Sequence, residues 1–407
     1  MDFFSYEGAK RIGSENILSM PIDAGTTYYE TTGTTGKPLF TPRTWLEAIC
    51  SNAHFTCNIT NLLSSNPDFE KRPIVGILGP TELHSLGDAI GDVLRNSDIS
   101  HVKFWPYSPK VGMQRAAELI PEIGINVLFG TPAVILPIVR TAKAMGENFY
   151  RDFSKTVELN MTLGEVTSPN MRKNISSLFA NARCQAGAYG GTELKVVSSS
   201  CRHGHMHVAD QNYIMEVIDP MSLRPVEEGS VGELVLTDLT PGIRPLIRYR
   251  TGDLVSLDNT PCPCGNPNKR MTNHGPLTDI VQINEAFYFA SDIEQTIMRG
   301  VTGAYGYRIS IDTKNGRDAI YVQYEFLSDE GRDMVDKASV EASHYFGCPV
   351  SATVVDELPA VVNTGGFLTW KSARILDRRS SGDVDTEISE DLAHRWLNGY
   401  TPNFGNA

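Results

Sequence analysis

The chain has 407 residues, 41% of them hydrophobic and 21% charged, with a formal net charge of −12 at pH 7 and a pI near 5.3. That length can bury one large core and still carry a second, smaller unit, whereas the acidic balance repels a phosphate backbone, so no nucleic-acid partner is expected. No stretch reaches the roughly 18 apolar residues of a membrane span, and the mixed, polar start MDFFSYEGAKRIG is unlike a signal segment, so a cytoplasmic protein away from membranes is expected.

In chain order, Thr44-Trp45-Leu46-Glu47 forms a capping-box pattern that predicts a helix through about Leu63. Pro73 to Leu78 predicts a buried strand and Ser85 to Arg95 a helix; Ile125 to Phe129 is the next strand, Ala133 to Ala144 a helix, Val157 to Leu163 a strand and Asn170 to Ala182 a helix. Such alternation predicts a largely parallel sheet with helices on both faces. Residues 205 to 257 change texture: YIMEVIDP, GELVLTDL and LVSL are short β-rich runs between Gly, Pro and Asp turns, as in an antiparallel subdomain. Beyond Gly275-Pro276, a helix (Ser291 to Met298), two β-rich segments (Tyr307 to Asp312, Ala319 to Phe326) and a further helix (Gly331 to Tyr345) predict a separate α+β unit, with a loosely structured tail from Arg379. The expected fold class is α/β: a large N-terminal domain over 1–277 with mixed sheets and helices and a β-rich subdomain at about 200–275, and a small C-terminal α+β domain over 278–407.

Three segments carry chemistry. In Tyr29-Glu30-Thr31-Thr32-Gly33-Thr34-Thr35-Gly36-Lys37-Pro38, glycines and small hydroxyls let backbone amides approach phosphate oxygens and Lys37 adds a positive charge; Thr31 and Pro38 depart from a Walker A loop, and alone the segment reads as a surface turn. Gly187-Ala188-Tyr189-Gly190-Gly191-Thr192-Glu193 joins a close backbone approach, a stacking ring, a hydroxyl and a carboxylate able to hold Mg²⁺. In Arg248-Tyr249-Arg250-Thr251-Gly252-Asp253-Leu254, Asp253 could accept hydrogen bonds from both hydroxyls of a ribose.

In this order the three segments resemble the adenylate-forming superfamily of acyl-CoA synthetases, adenylation domains and luciferases. Thr162-Leu163-Gly164-Glu165, EVIDP at 216–220, GELVLTDLT at 232–240 and Cys262-Pro-Cys264-Gly265 resemble its phenylacetate-CoA ligase branch more closely. The resemblance covers roughly residues 29–378 and implies an ATP- and Mg²⁺-dependent enzyme that activates a small carboxylic acid as its acyl-adenylate. It implies that Thr32, Gly33, Thr34, Thr35, Gly36 and Lys37 hold the ATP phosphates, that Gly164, Glu165, Ala188, Tyr189 and Gly190 also belong to the cofactor-binding set with Tyr189 stacking on adenine, and that Asp253 holds the ribose. Thr192 would touch the α-phosphate and Glu193 would ligate Mg²⁺. Asn363-Thr-Gly-Gly-Phe-Leu-Thr-Trp-Lys371 resembles the terminal lysine motif, so Lys371 would bridge the carboxylate and the α-phosphate. His84 would stand beside the substrate carboxylate, and Phe129 and Gly130 would line the acyl pocket.

A second constellation reads as structural. Cys201-x5-His207 and Cys262-x-Cys264 supply two pairs of soft ligands that could close a tetrahedral Zn²⁺ site; His203 and His205 compete for the fourth position, and the resemblance to a Gly-Leu-His element favours His207. The alternative is free thiols, which the odd total of seven cysteines also allows.

Two departures from the family shape the expected function. The phosphate loop lies close to the start, so part of the sheet support would be missing or supplied by another subunit, as in a homodimer. The hinge reads Gly275-Pro276-Leu277-Thr278-Asp279 and then Asn284-Glu285, without the family's arginine and Arg-Gly pair, which makes CoA a doubtful acceptor. The expectation is an adenylate-forming ligase for a small aryl acid that hands the acyl group to an amine or thiol, such as a carrier protein, in secondary-metabolite (antibiotic, including phenazine) biosynthesis. The alternatives are an aryl-CoA ligase and a degenerate nucleotide-binding scaffold.

Overall fold

The computed structural model describes residues 3–5, 8, 17–31, 40–64, 69–80, 82–327, 331–358 and 375–379. In chain order, β1 (Phe4–Ser5) precedes the hairpin β2 (Thr27–Glu30) and β3 (Phe40–Arg43). Helix α1 (Trp45–Ile59) opens on the predicted capping box: the Thr44 N–H donates to Glu47 Oε2 at 2.9 Å and the Glu47 N–H to Thr44 Oγ1 at 3.1 Å. The helix loosens into a π turn over Thr60–Ser64, short of a regular helix to Leu63.

The parallel layer follows as β4 (Ile74–Leu78), α2 (Ser85–Asn96), β5 (Ser100–Phe104), α3 (Gly112–Ile123), β6 (Val127–Gly130), α4 (Pro132–Ala144), α5 (Glu147–Thr156), β7 (Leu159–Thr162), α6 (Pro169–Leu178) and β8 (Arg183–Ala186). The strands pair in the order β5-β4-β6-β7-β8, all parallel. Alternate residues of these strands face opposite ways. Val75, Ile77, Val127, Phe129, Leu159 and Met161 pack toward α1 and α2, while Leu78 and Leu128 pack toward α3 to α6. Strand β5 is absent from the sequence reading because it is an edge, where exposed Ser100 and Lys103 break any apolar run.

At Gly187 the chain passes from this layer into an antiparallel sheet. Its strands are β9 (Ala188–Gly191), β10 (Lys195–Ser200), β11 (Met206–Val208), β12 (Tyr213–Ile218), β13 (Gly232–Asp238), β14 (Tyr249–Asp258) and β15 (Arg270–Pro276), in the order β12-β13-β14-β15-β11-β10-β9, with β1 alongside β14. The antiparallel sheet is thus wider than the 205–257 stretch in which the sequence shows it.

After a short 3-10 turn at Leu277–Asp279 come the hairpin β16 (Ile280–Ile283) and β17 (Ala286–Phe289), α7 (Ala290–Ile297), β18 (Gly306–Lys314), β19 (Arg317–Glu325), α8 (Arg332–Phe346), β20 (Val350–Val355) and β21 (Ile375–Asp377). The last four strands pair in the order β20-β19-β18-β21. This α+β segment docks on the parallel layer. One apolar cluster runs from Leu128, Ile135 and Phe179 to Ile297, Tyr324 and Phe346. Buried polar ties sit beside it, where the Ser168 N–H donates to Glu294 Oε2 at 2.6 Å and the Asn174 amide to the Ala304 carbonyl at 2.8 Å. No helix among the described residues is long and apolar enough to cross a membrane.

Candidate nucleotide site and cysteine–histidine cluster

Ligands of open parallel sheets sit outside the carboxyl ends of the strands, and that edge carries the predicted residues. Phe129 and Gly130 end β6, Gly164 and Glu165 follow β7, and Gly187 opens the adenine segment after β8. The Gly187 N–H donates to the Thr162 carbonyl at 2.6 Å, and a Cβ there would sit in contact with Met161, Phe129 and the Thr162 carbonyl at 3.3, 3.4 and 3.5 Å. Gly190 is tighter, since a Cβ would fall 1.9 Å from the Lys195 carbonyl oxygen.

Tyr189 and Asp253 lie 64 positions apart in sequence but meet in space, the phenol donating to Asp253 Oδ2 at 2.7 Å. Burial, and then the charge of Asp253, raise the Tyr189 phenol well above its ordinary value, so it stays protonated and donates. Asp253 itself is half-buried, its backbone N–H bonded to Thr251 Oγ1 at 3.1 Å. Thr192 is buried and Glu193 half-buried in the turn that follows. The Gly187–Glu193 segment and the strand carrying Asp253 therefore converge.

The remaining candidates show additional structural duties. Glu165 Oε1 accepts from the Ala133 N–H at 3.2 Å, at the start of α4, where the helix dipole favours a carboxylate. His84 is the N-cap of α2, its Nδ1 accepting from the Leu86 N–H at 3.3 Å. Its loop is tied to the phosphate-loop hairpin by the Glu30 N–H bond to the Leu83 carbonyl at 2.9 Å. Phe129 is only 1% exposed and packs among Ile77, Val127 and Met161, its ring edge beneath Gly187. Thr32, Gly33, Thr34, Thr35, Gly36, Lys37 and Lys371 lie outside the described residues. A cavity of about 300 Å³ lies on the polar face of the C-terminal sheet, lined by residues such as Arg308, Ser310 and Thr353 and not by Tyr189, Glu193 or Asp253.

The cysteine–histidine cluster assembles as well. Ligand atoms of Cys201, His207, Cys262 and Cys264 all lie within 4.8 Å of one another. Cys201 Sγ is 3.8 Å from Cys262 Sγ, and Cys264 Sγ 3.3 Å from His207 Nε2. His207 is fully buried and its Nδ1 donates to the Asn268 carbonyl at 3.0 Å, which leaves Nε2 with a lone pair toward the thiols, the tautomer a metal ligand needs. His205, the competing candidate, stands beside Cys262 with Nδ1 3.2 Å from the sulfur. Burial pushes the Cys264 thiol up from its ordinary range. Three sulfurs and one oriented imidazole fit Zn²⁺ better than they fit a hydrophobic core.

Two groups escaped the sequence reading. Helix α1 reaches the cluster through His54, whose Nε2 lies 3.0 Å from the His207 carbonyl, and through Asn58, which donates to Ser199 Oγ at 2.7 Å. Arg43 donates to the Thr192 carbonyl at 2.6 Å. Neither has a local signature, because each partner is more than 140 positions away.

The same fold is found in acyl-CoA ligases of known structure. A crystal structure of 2-hydroxyisobutyryl-CoA ligase in the postadenylation state, in complex with 2-HIB-AMP, aligns with a TM-score of 0.73 over 98% of this chain and 82% of that one, at 16% identity. The anthranilate CoA ligase in complex with anthranoyl-AMP aligns with a TM-score of 0.58 over 84% of this chain and 65% of its own, at 13% identity.

In sequence the likeness runs to the phenylacetate-CoA ligase branch. The chain is 31% identical to the phenylacetate-coenzyme A ligase of Thermus thermophilus over 159 residues, 36% of this chain and 35% of the relative. It is 25% identical to that of Aromatoleum evansii over 281 residues, 65% of this chain and 61% of the relative. The matches span less than two thirds of the length of these curated relatives, and no family model matches. A related structure of 2-hydroxyisobutyryl-CoA ligase holds both 2-HIB-AMP and CoA in the thioesterification state, so the doubt about CoA drawn from the altered hinge finds no support among the neighbours of this fold.

Proposed function

We propose that this protein is an ATP-dependent acid–thiol ligase that converts a small carboxylic acid to its acyl-adenylate and then transfers the acyl group to a thiol. The observation that carries the reading is the meeting of Tyr189 with Asp253 at 2.7 Å, beside the Thr192-Glu193 turn and outside the carboxyl ends of a parallel sheet. This convergence supports a nucleoside site with adenine near Tyr189 and ribose on Asp253.

A carboxylate oxygen of the acid attacks the α-phosphorus, the Pα–O bond to the β-phosphate breaks, and pyrophosphate leaves with that electron pair. A thiol sulfur, having lost its proton, then attacks the acyl carbon and AMP departs. The chain's contribution is to align two anions and offset their repulsion, through the Thr32–Lys37 segment, the Thr192 hydroxyl and Lys371. Glu193 would hold the Mg²⁺, which neutralises phosphate charge when bound. His84 and Gly130 would border the acyl group, with Phe129, predicted to line the pocket, instead buried in the core beneath it, and residues 278–407 would form the lid that carries Lys371.

Aryl acids are the proposed substrate class, supported by the phenylacetate-CoA ligase relatives and by the fold neighbour named for anthranilate. CoA is the acceptor those names favour. A second reading, transfer to a carrier-protein thiol or an amine in secondary metabolism, rests on the hinge sequence Gly275-Pro276-Leu277-Thr278-Asp279, where Gly275 at φ +103° and Pro276 end β15. We also propose a Zn²⁺ held by Cys201, His207, Cys262 and Cys264 as a structural staple, all four positions being filled by protein.

The test is acid-dependent exchange of labelled pyrophosphate into ATP across a panel of aryl and aliphatic acids, followed by thioester formation with CoA. Lys371→Ala should lower exchange by about 10²- to 10³-fold, the loss typical of one transition-state charge donor. Adenylate without acyl-CoA selects the second reading. Absence of exchange with any acid would end the ligase proposal.

A further inference from the structure

The turn Thr192–Lys195 carries the proposed Mg²⁺ ligand Glu193, and it is pinned by side chains from other elements. The Arg43 guanidinium donates to the Thr192 carbonyl at 2.6 Å and the Tyr213 hydroxyl to the Leu194 carbonyl at 2.6 Å. Lys195 then turns its ammonium away from the site, between two carboxylates from other elements: Nζ stands 3.1 Å from Glu47 Oε1 on α1 and 2.7 Å from Asp238 Oδ2 at the end of β13. The three side chains are 4%, 2% and 3% exposed.

The backbone identifies the side chain as the functional part. Lys195 sits at φ +62°, a left-handed conformation that disfavours a residue with a Cβ and that glycine would adopt without strain. A lysine at such a position, with its charge buried, means that the ammonium does something the turn alone cannot. Glu47 is held just as firmly, its Oε2 accepting from the Thr44 N–H at 2.9 Å and the Ile243 N–H at 3.2 Å. The close passage of Gly242 leaves room for it, since a Cβ there would fall 2.1 Å from Glu47 Oε1. Helix α1, whose N-cap follows the phosphate-loop hairpin, the Mg²⁺ turn and the β13–β14 connection are thereby locked to one ammonium.

We propose that Lys195 is a positioning residue, which sets the location of Glu193 and Thr192 relative to the phosphate-loop hairpin through the Glu47–Lys195–Asp238 brace. The proposal rests on the nucleotide reading above and adds to it a residue that acts only through its neighbours.

Lys195→Gly removes the ammonium while relieving the backbone strain, Lys195→Arg keeps the charge, and Gly242→Ala displaces the Glu47 carboxylate without touching the turn. Each is assayed by pyrophosphate exchange as a function of Mg²⁺, with melting curves to establish folding. Lys195→Gly and Gly242→Ala should each raise the Mg²⁺ concentration for half-maximal exchange at least tenfold and lower kcat, with the KM for the acid within about twofold, since misplacement of a catalytic group by about 1 Å costs on the order of 10²-fold. Lys195→Arg should recover most of the Mg²⁺ affinity. Should Lys195→Gly fail to fold, Gly242→Ala and Lys195→Arg decide. Folded variants with wild-type Mg²⁺ dependence overturn the brace and leave the ligase reading standing; a wild-type protein that exchanges no pyrophosphate overturns both.

Discussion

Tyr189, Asp253 and Glu193 are candidates from sequence because their side-chain chemistry suits a nucleotide and a cation and their motifs fall in the order of the resembling family. Lys195 and Arg43 are not, because their partners lie far along the chain and a lone basic residue ordinarily reads as a solvated charge. The same limit hid His274, half-buried with Nε2 3.2 Å from Ser256 Oγ, its ring 5.4 Å from that of Phe289. Burial lowers its pKa, more than Asp292 raises it. A histidine held neutral in the fold contributes stability above its unfolded value near 6.5, and that stability is lost as pH falls toward the lower folded value. Denaturant midpoints should therefore fall between pH 7.5 and 5.5, with a contribution from this residue of at most about 1.4 kcal/mol per pH unit. His274→Gln should flatten that dependence, whereas an unchanged profile would assign the effect elsewhere.

At the scale of elements, period and caps located α1, α2, α4 and α6 but not α3 or α5, although Ala116, Ala117 and Ile120 of α3 and Phe153 of α5 are buried. The Thr44-Glu47 pattern became a two-way capping box, and β4, β6 and β7 appeared as the apolar runs predicted. Edges and irregular ends were missed too: β5 is too exposed to show an apolar run, and α1 finishes in a π turn. Because Glu47 serves both the cap and the Lys195 pair, the cap has a consequence beyond its own helix. Thr44→Ala should cost about 1 kcal/mol, a melting shift of roughly 2 °C, and Thr44→Ser should restore it. A shift several times larger would mean that the cap and the buried ion pair are coupled.

For the whole molecule, the Cys201–His207 and Cys262–Cys264 pairs are the clearest case of long-range assembly, since β10, β11 and the β14–β15 connection converge on them and α1 leans on the His207 carbonyl. Metal analysis should find one zinc per chain. Chelation, or Cys262→Ser, should destabilise by at least about 3 kcal/mol, or about 6 °C at roughly 2 °C per kcal/mol, while exchange measured below the new transition should persist. Loss of metal with no change in melting would remove the staple.

Side-chain type and local period by themselves located α1, α2, α4, α6, α7 and α8, the buried strands β4, β6 and β7, the order of the three motif segments and the two ligand pairs, because each is a property of a few consecutive residues. Only the tertiary structure decided that Tyr189 bonds Asp253, that His207 rather than His205 completes the cluster, and that Lys195 pairs with Glu47 and Asp238. Those contacts join residues separated by tens to more than a hundred positions, and no local pattern encodes a distance that the packing of sheets and helices sets.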